Sequence, residues 1–392
     1  MSKLIQVLIL LSISFSLRAK DIEHMRVIFQ ENPSTEAYIA WSTIGPIPTG
    51  RNRVYFDTVS RDKDNKYTQQ KKAFLQKPYS YSFSMLHAVK LKNLKPNTTY
   101  YFKIRSGKAT SREYHFKTTP NNESFELLFG GDSRSDRSKR REMNLLMKKM
   151  LEENSNIYAL VHGGDYIANG FSWSQWKKWL DDHQLTTTDS GRVLPIIPTR
   201  GNHELSRALF NDIFIYPGNL IRPNYYTTQI GDFSLINLNT NWVVGGPQKW
   251  WLKSELKKAA KRSKWIVTNY HRPAYPAVKK PGRAKKHWVP LFEKYQVDIV
   301  FESDGHTLKR TAPIYKEKVN FEKGITYVGE GGLGVKQRIP KHKDEWYFQS
   351  PGYAVSAHHV MKLRVQKDKM IYTVHTEDLK VFDRMEIQPR NR

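Results

Sequence analysis

Five clusters of polar residues, rich in aspartate, asparagine and histidine, each begin where an apolar stretch of the sequence ends. They are FGGDSRSD (129–136), VHGGDYIANG (161–170), PTRGNHE (198–204), VTNYHRP (267–273) and VDIVFESDGHTLKRT (297–311). The carboxyl ends of the strands in an open α/β sheet share one crevice, so we expect these loops to converge in space. Five such clusters indicate one functional site rather than unrelated surface loops.

The side-chain types in these clusters indicate a metal centre. Imidazole nitrogen, carboxylate oxygen and amide oxygen together suit zinc, iron, manganese or nickel better than calcium. The chain contains no cysteine, which excludes sulfur-rich sites. A single aspartate can bridge two ions held about 3.5–4 Å apart, the arrangement used for in-line displacement at phosphorus. The clusters therefore predict a two-metal hydrolase.

Residues 21–119 predict a small all-β sandwich domain, because short apolar stretches alternate there with turn-forming residues and no helical period is present. The predicted strands are 27–30, 36–43, 52–57, 82–91, 99–107 and 114–119. The stretch HAVKLKNLKPNTTYYFKIRSGK (87–108), with Trp41 on an early strand, resembles a fibronectin type III module. The polar residues that follow, at 120–124, predict a linker.

From Phe125 onward strands alternate with helices, which predicts an α/β layered fold. The predicted strands are 125–129, 158–162, 193–198, 233–238, 265–269 and 297–301. Helices are predicted along the apolar spacing of 143–151 and near 172–182, 247–262 and 284–295. The tail is rich in strand-forming residues at 324–332, 353–365 and 369–376, and we expect it to complete a second sheet.

The order of the polar residues resembles the sequential signature of the calcineurin-like phosphoesterases, over residues 125–376. The matching residues are Asp132, Gly164-Asp165, Gly201-Asn202-His203-Glu204, His271 and the pair Asp304 and His306. A fibronectin-like domain before such a core is typical of the purple acid phosphatase branch. The resemblance implies an α/β fold in which a layered β-sandwich is flanked by helices and preceded by a small all-β sandwich domain.

The predicted boundaries follow from that organisation. They are 1–19 for a signal peptide, 20–119 for the fibronectin-like domain, 120–124 for the linker and 125–392 for the metallophosphoesterase domain.

The resemblance also implies which residues bind metal. Asp165 would bridge two divalent or trivalent ions, drawn from iron, manganese, zinc and magnesium. Asp132 and His306 would hold the first ion. The residues that would hold the second ion are Asn202, His271 and Asp304. His203 would lie beside the substrate, where it contacts a phosphate oxygen or protonates the leaving group.

Three positions depart from the family pattern. The purple branch has a tyrosine three residues after the bridging aspartate, and Ala168 stands there, so the protein should not be purple. Non-purple relatives have a histidine two residues after the first aspartate, and Arg134 stands there. Asp304 replaces the first histidine of the last motif, which adds negative charge and should shift the metal preference from zinc toward iron, manganese or magnesium. The first ion is therefore short of a ligand, with Asn169 or Tyr166 as weak candidates.

Two interpretations of Arg134 remain open. Its guanidinium can grip a phosphate oxygen through two hydrogen bonds, which would make Arg134 a catalytic residue beside His203. Alternatively it pairs with Asp304 or another acid and leaves the first metal position weakened or empty. The basic stretch PAVKKPGRAKKH (276–287) is likewise either a rim for an anionic substrate or a solvated loop.

The formal charge of +27 favours anionic partners but does not choose among them. We expect a phosphoesterase that hydrolyses phosphate monoesters, with diesters as the second choice, by means of a hydroxide that bridges the two metals. The alternative is a catalytically degenerate protein that binds an anionic glycan or envelope polymer. Nucleic acid is a third candidate partner, although no recognised nucleic-acid module is present.

The N-terminus predicts export. Residues 1–19 combine Lys3 with an apolar stretch and end in a small residue, as signal peptides do, and no other segment could span a membrane. An exported chain without cysteine suits a bacterial periplasm or the extracellular medium better than an animal secretory route.

Overall fold

A computed structural model gives the structure of the chain over residues 22–45, 51–216 and 224–390. The predicted signal peptide lies outside these described residues. No helix in the described ranges is both long and apolar enough to cross a bilayer.

The described residues form strands and helices in the following order. The strands are β1 Glu23–Ile28, β2 Ala37–Ile44, β3 Asn52–Asp57, β4 Gln69–Lys72, β5 Leu75–Pro78, β6 Ser84–Leu91, β7 Thr99–Ser106, β8 Ala109–Thr110, β9 Tyr114–Lys117, β10 Phe125–Gly130, β11 Ile157–His162, β12 Ile196–Pro198, β13 Tyr226–Ile230, β14 Phe233–Asn237, β15 Trp265–Asn269, β16 Ile299–Glu302, β17 Leu308–Arg310, β18 Ile314–Tyr315, β19 Lys318–Val319, β20 Thr326–Gly329, β21 Tyr353–Val355, β22 His359–Val365, β23 Met370–Thr376 and β24 Val381–Ile387. The helices are α1 Arg137–Glu153, α2 Trp173–His183, α3 Arg207–Phe214, α4 Pro247–Arg262, α5 Ala284–His287 and α6 Val289–Lys294, with short 3₁₀ turns at Gln184–Thr186 and Trp346–Phe348.

Two large sheets pack face to face and form the centre of the molecule. One has the strand order β24-β23-β22-β10-β11-β12-β1-β2-β6-β5, and the other has the order β13-β14-β15-β16-β20-β17-β21. Phe129 of β10 stacks on Phe301 of β16 with 3.6 Å between ring centroids, so the two inner faces share one apolar core. This confirms the predicted layered β-sandwich.

Helices cover the outer faces of both sheets. On the first sheet, Met143 and Met147 of α1 pack with Leu128 and Leu160 of the sheet. On the second sheet, α4 and α6 bury their apolar residues against β14, β15 and β16. Each of these three helices therefore buries an apolar stripe against a sheet, as its spacing of apolar residues requires.

The N-terminal strands form a β-sandwich that is joined to this core. β3, β4, β7, β8 and β9 form one sheet, and β1, β2, β5 and β6 extend the ten-stranded sheet. The junction is a parallel pairing of β1 with β12, in register at Ile28 and Ile196. The all-β domain expected from the sequence is present, and its sheet continues into the α/β core.

Three details differ from the sequence-based expectations. The predicted helix at 284–295 is two short helices, α5 and α6, and Pro290, which lacks an N–H to donate, lies in the first turn of the second. The predicted strand segment 353–365 divides between the two sheets, because β21 pairs with β17 and β22 pairs with β10. β22, β23 and β24 extend the first sheet rather than completing the second.

Candidate metal centre

Each of the five polar clusters begins immediately after a strand, as the sequence predicts, but the strands belong to both sheets. β10, β11 and β12 lead to Asp132, Asp165 and Asn202, and β15 and β16 lead to His271 and Asp304. The site therefore lies where the carboxyl ends of parallel strands from two facing sheets meet.

Four of the predicted ligands form one compact group. Asp132, Asp165, His271 and Asp304 are all buried, and each offers one ligand atom within 4.8 Å of those of the other three. Three carboxylates and one imidazole provide the nitrogen and oxygen donors that first-row transition metals bind.

The backbone is strained at the ligands. Asp132, Asp165, Asp304 and His306 have φ values of 56°, 57°, 71° and 61°, in the left-handed region that residues with a Cβ seldom adopt. Such conformations cost about 1–3 kcal/mol each and persist only where surrounding contacts enforce them. Gly331, itself at φ 91°, lets the chain pass so near Asp132 that a Cβ at this glycine would lie 2.0 Å from Oδ2.

His271 is oriented for ligation by its second ring nitrogen. Its Nδ1 lies 2.9 Å from the Gly163 carbonyl, which can only accept, so Nδ1 donates and Nε2 faces the carboxylates. Nε2 lies 3.2 Å from Asp165 Oδ1 and 3.4 Å from Asp304 Oδ1. Burial lowers the pKa of His271, but the nearby carboxylates of Asp165 and Asp304 outweigh it and raise that pKa well above its ordinary value.

The two carboxylate oxygens of Asp165 face different partners. Oδ1 lies on the His271 side, while Oδ2 lies 3.4 Å from Nε of Arg134. Burial raises the pKa of Asp165, but the charge of His271 and the hydrogen bond from the His203 backbone N–H lower it to about 2, so this residue is a carboxylate at neutral pH. Asp165 therefore lies between His271 and Arg134, with one oxygen toward each.

Glu204 fixes the loops on which Asp165 and Asn202 lie. Its buried carboxylate accepts hydrogen bonds from the backbone N–H groups of Asp165 at 3.0 Å, Tyr166 at 2.8 Å and Gly201 at 2.6 Å. One side chain thus joins the second and third clusters.

His306 and Arg134 lie on the side of Asp165 that is opposite His271. His306 Nε2 lies 3.3 Å from Asp132 Oδ1, as expected of two ligands of one ion. Arg134 Nη2 lies 3.4 Å from the same ring nitrogen. The guanidinium therefore lies among the residues that the family resemblance assigns to the first ion.

The other candidates for that first position are turned elsewhere. Tyr166 stacks on His162 with 3.8 Å between ring centroids, inside an aromatic cluster. Asn169 is exposed, and its Oδ1 accepts the backbone N–H of Phe171 at 3.0 Å. Neither side chain is placed as a ligand.

On the His271 side of Asp165, Asp304 is paired with a lysine. Lys279 Nζ lies 2.5 Å from Asp304 Oδ1, and the backbone N–H of Asp304 donates to Asp132 Oδ2 at 2.8 Å. Burial raises the pKa of Asp304, but the contacts with His271 and Lys279 hold it far below its ordinary value. Arg134 therefore does not pair with Asp304, whose salt-bridge partner is Lys279.

A pocket of about 430 Å³ opens beside Asp304. Asn202 lines it together with Arg272, Lys280 and Arg283. These three cations form no ion pair with any residue in the described ranges, so they add positive charge to the pocket. Lys285 of the same basic stretch instead pairs with Glu317 at 2.8 Å.

His203 borders the ligand cluster and reaches solvent. Its Nδ1 donates to the Ala168 carbonyl at 2.7 Å, its backbone N–H donates to Asp165 Oδ1 at 2.9 Å, and its Nε2 lies 3.8 Å from Asp165 Oδ2. With a side chain 32% exposed, it is open to an incoming molecule.

The buried atoms test whether the residues fit a metal. Asp132 Oδ1, Asp165 Oδ2 and His271 Nε2 are buried without a hydrogen-bond partner in the described structure. Unsatisfied buried polar atoms are rare in folded proteins. Three of them in one cluster of ligand-type atoms fit the binding of a cation: His271 Nε2 lies on one side of Asp165, and Asp132 Oδ1 and Asp165 Oδ2 lie toward His306 and Arg134.

Comparison with known proteins agrees with this arrangement. Residues 22–118 match the family "Purple acid Phosphatase, N-terminal domain", and residues 136–310 match the family "Calcineurin-like phosphoesterase". The chain therefore contains a calcineurin-like phosphoesterase domain over residues 136–310. That domain is preceded by the N-terminal domain of the purple acid phosphatase branch.

Relatives in this branch are distant in sequence. Purple acid phosphatase 21 of Arabidopsis thaliana is 25% identical over 348 residues, which cover 82% of this chain and 71% of that protein. The uncharacterized protein Rv2577 of Mycobacterium tuberculosis is 23% identical over 367 residues, covering 82% of this chain and 65% of that protein. The chain thus spans about two thirds of the length of these relatives.

Two solved structures share the phosphoesterase fold. The purple acid phosphatase PPD1 from yellow lupin seeds aligns with a TM-score of 0.77 at 19% identity, covering 94% of this chain and 74% of that one. PhoD aligns with a TM-score of 0.64 at 12% identity, covering 93% of this chain and 88% of that one.

Two residues of the phosphoesterase site were not assigned from the sequence. Glu204 is the last residue of the GNHE block. Its place in a glycine-bearing turn could have suggested that its carboxylate accepts hydrogen bonds from backbone N–H groups. Lys279 lay within the basic stretch, but nothing in its spacing indicated a bond to Asp304. The roles predicted for the site residues all stay predictions: metal ligands at Asp132, Asp165, Asn202, His271, Asp304 and His306, and catalytic residues at His203 and Arg134.

Proposed function

We propose that this chain is a metal-dependent phosphoric ester hydrolase. The observation that supports it most is the buried group of Asp132, Asp165, His271 and Asp304, with ligand atoms within 4.8 Å of one another at the ends of strands from both sheets. The calcineurin-like phosphoesterase family matches residues 136–310, which include Asp165, His271 and Asp304.

The residues proposed to hold the metal on the His271 side are Asp165, Asn202, His271 and Asp304. Their donor atoms are mostly oxygen, which favours iron, manganese or magnesium over zinc. When bound, such an ion polarises phosphoryl oxygens and lowers the pKa of a nearby water toward neutrality. Family resemblance implies a second ion at Asp132 and His306.

Two side chains are proposed to act directly on the substrate. His203 Nε2 is the ring nitrogen left free by the bond from Nδ1 to Ala168, so a proton on it can pass to the departing oxygen. Arg134 presents a permanently charged guanidinium beside Asp165, and it can hold phosphate oxygens in a fixed orientation.

The charge around the pocket supports an anionic substrate. Arg272, Lys280 and Arg283 line the pocket with no neutralising partner among the described residues, and Lys279 reaches Asp304 from its wall. Such a field raises the local concentration of phosphate esters. Monoesters are the first choice and diesters the second.

The test combines metal content with turnover. Purified mature protein would be assayed with p-nitrophenyl phosphate and its bis ester in the presence of zinc, manganese, iron or magnesium, beside Asp165→Asn. We expect turnover with at least one ion and its loss in the variant. No bound metal and no turnover with any ion would reject the enzyme and leave the degenerate anion-binding protein as the better account.

We also propose that the protein is exported, on the basis of residues 1–19 alone. Amino-terminal sequencing of protein recovered from the cell envelope or the medium tests this. A start after Ala19 supports cleavage, and recovery of the intact leader from the cytoplasm contradicts it.

A further inference from the structure

The side chain of Arg134 occupies the position that the family resemblance gives to the first ion. Its Nε lies 3.4 Å from Asp165 Oδ2, and its Nη2 lies 3.4 Å from His306 Nε2. The side chain is only 16% exposed. The guanidinium is therefore held inside the centre, between two of the three residues expected to ligate that ion.

The residues around this first-ion position do not fit a metal ion. A guanidinium has no lone pair to donate to a metal and stays protonated at any physiological pH. Ala168 brings no ligand atom from its side chain, and Tyr166 and Asn169 are engaged elsewhere. A cation placed here would meet a fixed positive charge and too few ligands.

The charge balance of the centre favours the same conclusion. Three carboxylates, Asp132, Asp165 and Asp304, face two side-chain cations, Arg134 and Lys279. One divalent ion already gives the centre a net positive charge, which suits a phosphate. A second divalent ion would add repulsion that no further carboxylate of the cluster offsets.

We infer that this chain binds a single metal ion, and that the guanidinium of Arg134 takes the place of the other. The ion is held on the His271 side by Asp165, Asn202, His271 and Asp304. On the other side, Arg134 balances the charge of Asp165 through an ion pair at 3.4 Å and remains available to phosphate oxygens. The inference rests on the proposed function, since it assumes that the centre binds metal.

Metal stoichiometry tests this directly. The full chain would be loaded with Mn²⁺, freed of excess ion and measured by elemental analysis, and its electron paramagnetic resonance spectrum recorded. We expect about one ion per chain and the hyperfine-split signal of an isolated Mn²⁺. Two ions per chain with the signal of a coupled pair would overturn the inference and leave the proposed function intact. No bound ion would count against the proposed function itself.

Variants of Arg134 supply the second arm of the test. Arg134→His restores the residue found in non-purple relatives, and we expect it to bind about two ions with a coupled signal. Arg134→Ala removes the charge without adding a ligand, and we expect a second ion of at least tenfold weaker affinity than the first. A metal content that stays at one ion per chain in both variants would overturn the role given to Arg134.

The matched control is Arg141→His. Arg141 lies on α1, where its guanidinium donates to Asp182 at 3.0 Å. The same change of residue there should leave the stoichiometry at one. Circular dichroism of all four proteins establishes that each is folded before its metal content is compared.

Discussion

Lys279 Nζ lies 2.5 Å from the same Oδ1 of Asp304 that lies 3.4 Å from Nε2 of His271. The lysine therefore competes with a metal ion for one ligand atom. Hydrogen bonds between charged groups contribute about 1.5–3 kcal/mol, and a difference of about 1.4 kcal/mol is a factor of ten in affinity.

Lys279→Ala should bind metal about tenfold more tightly, because Asp304 is released to the ion. It should also show a higher KM for a phosphate monoester, since a cation beside the pocket is lost. Titration calorimetry and steady-state kinetics measure the two effects. Lys280→Ala is the control, because Lys280 forms no ion pair among the described residues. It should leave metal affinity unchanged. Weaker metal binding in Lys279→Ala would contradict the competition.

The pocket cations should act on substrate binding rather than on the chemical step. Arg272→Ala and Arg283→Ala are each expected to raise KM for p-nitrophenyl phosphate about two- to tenfold with little change in kcat, and the difference from wild type should shrink as salt is added. Lys285→Ala is the control, because Lys285 is already paired with Glu317. An equal loss of kcat in Arg272→Ala would indicate a different role.

Glu204 should determine metal affinity without touching the metal. Its carboxylate accepts three backbone N–H groups, and the amide of Glu204→Gln has only one accepting oxygen. We expect metal affinity to fall about 10- to 100-fold, as when other supporting hydrogen bonds are removed. Glu152→Gln, on the exposed side of α1, should retain wild-type affinity. Unchanged metal affinity in Glu204→Gln would show that the loops hold their shape without it.

Asp182 should stabilise the fold in a pH-dependent way. It is buried on α2 and accepts hydrogen bonds from Arg137, Arg140 and Arg141 of α1. Burial raises its pKa, but the bonds and charges of these arginines outweigh it and hold the pKa below its ordinary value. Its contribution is therefore complete above the unfolded pKa of about 3.9 and declines as pH falls through the lower folded pKa.

Asp182→Asn should lower the free energy of unfolding by about 3–5 kcal/mol at pH 7, because it leaves buried positive charge uncompensated. Urea denaturation at pH 7 and near pH 3 should show the gap between variant and wild type narrowing in acid. Asp189→Asn changes an exposed partner of Lys148 and should have little effect. A gap that does not depend on pH would argue against this account.

The iron-loaded protein should not be purple. Ala168 stands where the purple branch has its tyrosine, and Tyr166 is stacked on His162 with its pKa raised well above the ordinary value by burial. The absorption spectrum of the ferric protein should therefore lack a tyrosinate charge-transfer band in the visible range. A band that disappears in Tyr166→Phe would show that this side chain reaches the iron after all.

The sequence determined the order of the elements and the identity of the cluster residues. Strand and helix periods are local properties, so β10, β11, β15 and β16 and the loops after them could be located from apolar spacing. The distribution of those strands over two sheets could not be predicted from the sequence, because strand pairing depends on residues far apart in the chain. The same limit applies to the segment 353–365, which divides between the sheets at β21 and β22.

The chemistry of the centre was decided by the tertiary structure. From the sequence, Arg134 could either pair with an acid such as Asp304 or contact phosphate. Only the folded chain shows that Arg134 lies beside Asp165 and His306. It also shows that Asp304 pairs with Lys279 instead. A long side chain can reach several partners from one backbone position. Which of them it meets depends on how the loops of both sheets pack, and on left-handed backbone conformations that no local pattern at these residues predicts.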